Sequence, residues 1–248
     1  MSESPLASPD NALVKDLRAL HKSEGRHAAG AFLVEGRRAI DGFLAGGRQP
    51  DVLLRPVGEP APAEWPPARE VGPRVAARLS QSTTPSGWFA RFAIPDPGPL
   101  DAAAGGLVLV GVGDPGNVGT LIRSAAAFGL AQVAMAGGAD PWSHKVVQAS
   151  AGALATVRVH VLDPAGGLTP LRGGARISAL VVAGGQDPAT VAAARRWLVV
   201  GSEAHGLPDA WLGDQVERLT LPMPGPTESL NAAVAGSIAC YLLARGLV

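Results

Sequence analysis

The chain has 248 residues, 47% hydrophobic and 17% charged, which excludes disorder and a fibrous class and leaves room for two domains. Lysine plus arginine (21) balance aspartate plus glutamate (21), so no overall basic field points to nucleic acid, although a local basic patch remains open. The single cysteine excludes an internal disulfide, and the histidines show no paired metal-ligand spacing, so no metal site is expected.

The start "MSESPLASPDNA" lacks the basic and apolar regions of a signal peptide, and a cytoplasmic protein is the default expectation. The first apolar periodicity, Leu13, Leu17 and Leu20, predicts a helix, followed by a turn. A short strand then covers Phe32 to Val34, and a second helix buries Ile40, Phe43 and Leu44. "DVLLR" reads as a strand, "PVGEPAPAEWPPAREVGP" as a proline-rich surface loop, "RVAARLSQ" as a short helix and "SGWFARFAIP" as a strand. Together residues 1–98 form a small α/β domain, with Trp88 and Phe89 read as core. "PDPGPLDAAAGG" is the linker, because proline and glycine crowd it and no periodicity survives.

Residues 99–248 change pattern to buried strands alternating with helices. The strands are "GLVLVGV", "QVAMAG", "TVRVHVL", "ISALVVAG", "RWLVVGS" and "RLTLPM". Helices are expected from about Asn117, around Lys145 to Ser150, and from about Ser229. Continuous valine and leucine runs between helices imply a largely parallel sheet covered on both faces. The apolar tail from Leu230 is interrupted by Asn231, Ser237 and Arg245, so it reads as a buried helix and not a membrane span.

Gly111-Val112-Gly113-Asp114-Pro115-Gly116 satisfies the G-x-G-x-x-G dinucleotide pattern after an apolar run. The expected ribose-binding acid, about 20 residues on, is missing, since Asp140 lies beyond that distance. Asp114-Pro115-Gly116-Asn117 is a strong turn sequence, with Asn117 as the expected N-cap of the helix that follows. That helix turns Val118, Leu121, Ile122 and Ala125 to one side, and Asn117, Thr120, Arg123 and Ser124 lie around the other. Two further segments end strands in polar loops, where ligands bind open α/β sheets: "RRWLVVGSEAHGLPDAWL" and "LTLPMPGPTESLNAAVAGSIACYLLAR". In the last helix Ala232, Ala233, Ala235 and Gly236 make a narrow face suited to a partner helix, beside an i,i+4 ridge of Leu230, Val234, Ile238 and Leu242.

Taken together, "DPGNVGTLIRSAAAFG", "LVVGSEAHGL" and "LTLPMPGPTESLNAAVAGSIA" resemble, in order and spacing, the three motifs of the SpoU (TrmH-like) RNA ribose 2′-O-methyltransferases of the SPOUT superfamily. The N-terminal "FLVEGRRAI" and "LSQSTTPSGWFA" are similar to that family's ribosomal-protein-like substrate-binding domain. The resemblance implies an α/β fold whose parallel sheet ends in a deep trefoil knot, an S-adenosylmethionine cofactor, an RNA substrate (ribosomal before transfer RNA) and a homodimer. By position, Gly201, Leu207, Leu221, Met223 and Leu230 would line the cofactor pocket, and Asn117, Arg123, Glu203, Ser229 and Asn231 would form the catalytic constellation. A neutral guanidinium is costly, with a pKa above about 12, so Arg123 is read as an electrostatic clamp; the general-base role stays open. Lys22, Arg26, Arg37 and Arg38 are the expected RNA contacts, Arg26 from a turn after "HKSEG". Two other readings stand beside this one: an RNA-binding protein of the same fold without catalysis, and the dinucleotide oxidoreductase suggested by the glycines.

Overall fold

A computed structural model describes residues 4–192, 194–226 and 229–245, and these form two compact units. The first holds residues up to Pro95 together with Trp142–Ala155; the second holds Asp96–Pro141 and the chain from Thr156.

In the first unit, α1 (Ala12–Ala19) is capped by Asn11, whose Oδ1 accepts from the Leu13 N–H at 2.9 Å. It is followed by α2 (Ser23–Ala29), β1 (Ala31–Glu35), α3 (Arg37–Ala45), β2 (Val52–Pro56), β3 (Arg69–Val71), α4 (Pro73–Leu79) and β4 (Phe89–Ala93). The sheet order is β1-β4-β2-β3, with β4 antiparallel to both neighbours and β3 parallel to β2. All five residues of β1 are buried, because helices cover the sheet on both faces. Val14, Leu17, Leu33, Leu54, Val75 and Phe89 form one core. Phe32, Phe43, Phe92 and Trp142 stack as another, with ring centroids 4.9–6.0 Å apart.

Here the structure corrects three local expectations. Residues 23–29 are helical where a turn was expected, since α2 closes on Gly30 in the left-handed region (φ 56°). Arg26 therefore lies inside a helix; it is 4% exposed and donates to the carbonyls of Leu20 and His21 at 2.8 and 3.0 Å. Its guanidinium ties the end of α1 to α2 and is not placed for the RNA contact expected of it, whereas Lys22, Arg37 and Arg38 are exposed. The proline-rich stretch also contributes the edge strand β3, because Leu54 to Pro56 offer it a parallel ladder.

The second unit begins with β5 (Gly106–Val110), α5 (Pro115–Ala127) and β6 (Gln132–Ala136). Helix α6 (His144–Ser150) then packs within the first unit, where Trp142 joins the aromatic cluster and Gln148 donates to the Glu35 carbonyl. Aromatic burial thus gives 142–155 its place in the first unit. The second unit continues with β7 (Arg158–Val161), β8 (Arg176–Leu180), β9 (Arg196–Gly201), β10 (Val216–Leu219) and α7 (Ala232–Ala244). Its six strands run in the order β10-β8-β9-β5-β6-β7, and every neighbouring pair is parallel.

Two helix starts differ from expectation. Helix α5 begins at Pro115, not Asn117, because proline suits the first helical position and Asp114 is the cap, accepting from the Asn117 N–H at 2.8 Å. Likewise α7 begins at Ala232, capped by Asn231, and Ser229 lies outside it. The narrow side of α7 does meet a helix, but within the chain. Ala233, Gly236, Ala239 and Cys240 are buried, and a Cβ on Gly236 would collide with Leu121 of α5 and lie 3.3 Å from Val200. Ser124 and Ser237 hydrogen-bond between α5 and α7 at 2.7 Å. Leu230, Val234, Ile238 and Tyr241 are left exposed, Tyr241 by 51%. No helix among the described residues is long and apolar enough to cross a membrane, and no group of three or more His, Cys, Asp or Glu among them could hold a metal ion.

Candidate active site

The carboxyl ends of β8 and β9, the chain after β10 and the start of α7 surround a cavity of about 400 Å³, within the usual range for small-molecule sites. A parallel sheet aims its strand ends at one edge, and the loops there are free to diverge from the ladder. Strand β9 delivers Gly201 to the wall. The next residues fold back at once: Ser202 pairs with Gly206, whose N–H donates to the Ser202 carbonyl at 2.9 Å. A Cβ on Gly201 would collide with the carbonyl oxygen of Gly206, so only glycine permits this turn. Leu207 follows and closes that side.

After β10, Thr220 fastens the chain to the segment that follows β8. Its Oγ1 donates to the Val181 carbonyl at 3.1 Å and accepts from the Gly185 N–H at 2.9 Å. Leu221 and Met223 then face the cavity, and Ser229 and Leu230 complete the rim. All five residues expected to hold the cofactor, Gly201, Leu207, Leu221, Met223 and Leu230, thus line one cavity. Thr227 and Glu228 of the third motif lie outside the described residues.

The polar residues of the three motifs meet at the same place. Asn117 Nδ2 donates to Glu203 Oε1, and Asn231 Nδ2 donates to Asn117 Oδ1 at 3.1 Å. Asn231 Oδ1 is also the cap of α7, accepting from the N–H groups of Ala233 and Val234 at 2.9 and 3.2 Å. One asparagine therefore fixes both the helix that forms the cavity wall and the amide that orients Glu203. Glu203, Ser229 and Asn231 line the cavity directly; Asn117 reaches Glu203 and Asn231 from α5.

Arg123 does not join this network. Six residues beyond Asn117 on α5, it is rotated to another side of the helix, is exposed, and makes no hydrogen bond or ion pair among the described residues. Its charge is available to an incoming group, not committed to Glu203.

Sequence reasoning missed the end of β8. Leu180, Val181 and Val182 form a wall of the cavity, and Val200, Ala232 and Ala235 add to it. The signal was present, because "ISALVVAG" was legible as a strand, but its place beside β9 is a fact of strand order. The dinucleotide reading loses its physical basis here. Asp114 Oδ1 already occupies the Asn117 N–H at the start of α5, which places a carboxylate where a pyrophosphate would bind. Cys240 is inert, its thiol pushed up to about 12 by burial.

A cavity walled by Leu180, Val181, Val200, Leu207 and Leu221, with Glu203, Ser229 and Asn231 as polar groups, suits a nucleoside-sized methyl donor, so the residues present fit S-adenosylmethionine. A Gly201→Val substitution is expected to weaken that affinity by at least about tenfold, through overpacking against the Gly206 turn. Calorimetric titration with the methyl donor checks this; unchanged affinity in a folded variant rejects the wall assignment.

The model of the SpoU rRNA Methylase family matches residues 106–241, and that of the MRM3-like substrate binding domain matches residues 11–90. The chain is 30% identical to an uncharacterized tRNA/rRNA methyltransferase of Synechocystis, over 95% of this chain and 92% of that protein. It is 27% identical to the 23S rRNA (guanosine(2553)-2′-O)-methyltransferase RlmP of Bacillus subtilis, over 96% of this chain and 98% of the relative. Among solved structures it is similar to the SpoU methyltransferase AviRb of Streptomyces viridochromogenes in complex with AdoMet, with a TM-score of 0.80 and 26% identity, covering 95% of this chain and 97% of that one. The family model covers more than half of this chain, and the chain belongs to the SpoU rRNA methylase family.

Proposed function

We propose that the protein is an S-adenosylmethionine-dependent RNA methyltransferase that modifies a ribose 2′-hydroxyl, in ribosomal RNA. The observation that carries this reading is the convergence of Asn117, Glu203 and Asn231, from three distant segments, at the rim of the cavity lined by Gly201, Leu207 and Leu221. A binding protein without catalysis has no use for a carboxylate held by one asparagine, itself fixed by a second, beside a cofactor-sized cavity.

Bound S-adenosylmethionine supplies an electrophilic methyl group. The chain's own residues deal with the nucleophile, which is poor at neutral pH until its proton is withdrawn or its developing charge is stabilised. Glu203 is held as an acceptor by the Asn117 amide and can take that proton through water. Arg123 carries a permanent positive charge and stabilises the alkoxide or an adjacent phosphate. Ser229 and Asn231 orient the ribose at the rim.

Three further elements belong to the proposal. The C-terminal strands and their crossing loops form a deep trefoil knot, consistent with Thr220 tying the segments after β8 and β10. The protein works as a homodimer through the exposed apolar stripe of Leu230, Val234, Ile238 and Tyr241, and acts in the cytoplasm.

Calorimetry with S-adenosylmethionine and with NAD tests the cofactor, and binding of NAD alone sinks the proposal. Mass-spectrometric mapping of 2′-O-methyl sites in ribosomal and transfer RNA, with and without the gene, identifies the substrate. A missing methyl group in transfer RNA only would replace ribosomal RNA as the target.

A further inference from the structure

Asn117, Leu121, Ser124 and Phe128 recur at helical spacing along α5 and its C-cap, and each meets α7 in order. Asn117 accepts from Asn231, and Leu121 packs where a Cβ on Gly236 would stand. Ser124 bonds Ser237 at 2.7 Å, and the Phe128 ring centroid lies 5.6 Å from that of Tyr241. The two helices therefore run parallel along an apolar seam, with an amide pair at its start and a hydroxyl pair about two turns later.

The hydroxyl pair has a fixed direction. Ser237 Oγ donates its one proton to the Ala233 carbonyl at 2.6 Å, so Ser124 must be the donor to Ser237. The same peptide unit donates onward, because the Val234 N–H reaches Asn231 Oδ1 at 3.2 Å. With its oxygen occupied, Asn231 has only its nitrogen to offer Asn117 Oδ1, and Asn117 then has only its nitrogen for Glu203. Every bond from Ser124 round to Glu203 points the same way.

Serine is a costly choice in a seam of alanine, glycine and leucine. Alanine is the better helix former and brings no hydroxyl to satisfy. What a hydroxyl pair adds is a single permitted alignment, as one polar pair fixes register inside a coiled coil. Together with the amide pair it stops α5 from sliding along α7 and from rotating about its own axis. Arg123 precedes Ser124 by about 100° around the helix, so the bond that holds Ser124 to α7 also sets where Arg123 faces.

We propose that Ser124 and Ser237 are positioning residues for methyl transfer, whose hydroxyl pair locks α5 against α7 in the register that presents Asn117 to Glu203 and Arg123 to the incoming ribose. This rests on the reading of the chain as an RNA methyltransferase. Neither serine lines the cavity, so both act through the residues they hold.

The test uses the full chain, as wild type, Ser124→Ala, Ser237→Ala and the double variant, with circular dichroism and S-adenosylmethionine calorimetry on each. Methyl transfer is measured on ribosomal RNA from cells lacking the gene. Either single variant should lower the rate at saturating RNA and cofactor about fivefold to tenfold, leaving KM for the RNA and cofactor affinity within about twofold of wild type. The double variant should lose no more than one single variant, because the two hydroxyls make one contact. A hydroxyl pair that only stabilised the fold would lower the denaturation midpoint and leave the saturated rate alone. Independently of turnover, the Asn117 side-chain amide protons, assigned by their loss in Asn117→Ala, should exchange with solvent about threefold faster in Ser237→Ala by nuclear magnetic resonance. Wild-type saturated rates in both folded single variants, or losses that multiply in the double variant, overturn the proposal, as does unchanged amide exchange. A wild-type protein that methylates no RNA, with faster amide exchange in Ser237→Ala, sinks the enzymatic reading and leaves the α5–α7 lock standing.

Discussion

Arg123→Ala is expected to lower single-turnover methyl transfer by about 10²–10³-fold while leaving S-adenosylmethionine affinity unchanged. The separation follows from where Arg123 stands. It does not line the cavity and is not tied to Glu203, so its removal leaves the cofactor wall and the asparagine–carboxylate network intact. In the proposed clamp role, what disappears is a permanent charge whose effect is felt only as negative charge develops on the ribose oxygen. Arg123→Lys should recover part of the rate if the charge alone matters, and little of it if a planar, bidentate contact is required. Loss of cofactor affinity with normal turnover at saturation rejects the clamp role. The same assay on Glu203→Gln separates the two groups, because a proton acceptor alters the pH profile and a fixed cation does not.

A second large effect concerns stability. Glu217, on β10, accepts from Arg176 Nη1 at 3.0 Å, Ser178 Oγ at 3.1 Å and Arg196 Nη1 at 2.5 Å, and so links three strands. The Arg196 side chain is only 4% exposed, and its remaining acceptors are Ser178 Oγ and the Ala192 carbonyl. Glu217→Ala strands a buried cation, and the expected loss is about 3 kcal/mol, the lower end for a broken buried pair because Glu217 keeps 31% exposure. Chemical denaturation should show the midpoint fall without a change in slope. The pair also sets an acid limit. Burial pushes the Glu217 carboxyl up, but the hydrogen bond and charge of Arg196, with Ser178 and Arg176, outweigh it and hold the group below the usual carboxylate range. A depressed carboxylate contributes its stability above the unfolded-state value and loses it as pH falls through the folded one. Wild-type protein should therefore lose stability below the ordinary carboxylate range, and Glu217→Ala should show a shallower acid slope. An identical slope in both proteins removes Glu217 from the acid response.

Much of the site was legible along the chain because each motif carries its own punctuation. Gly201 followed by Ser202 and Glu203 marks a strand that must end in a tight turn, and Asn231 before an alanine run marks a helix start. The misplacement of two helix starts has one cause. Asn117 and Ser229 are good caps in isolation, but Asp114 stands before Pro115, and Asn231 stands where its Oδ1 reaches two N–H groups. Local propensity offered several caps, and hydrogen-bond geometry chose among them. Arg26 shows the opposite failure: charge suggested RNA, but a guanidinium can also satisfy carbonyls at a helix junction.

The sequence by itself determined the class of fold, since runs such as "GLVLVGV" and "RWLVVGS" can be satisfied only in a sheet covered on both faces. It also marked Asn117, Glu203 and Asn231, which the fold brings together. Only the tertiary structure decided that β8 stands beside β9, which brings Leu180 to Val182 into the cavity, and that Asn117 reaches Glu203 and Asn231 across 86 and 114 positions of sequence. It also decided that Arg123 turns away from them and that Ser124 meets Ser237 on α7. The physical reason is the same throughout: periodicity and propensity are local, whereas strand order and hydrogen-bond partnership are settled by which distant segments can bury their apolar faces together.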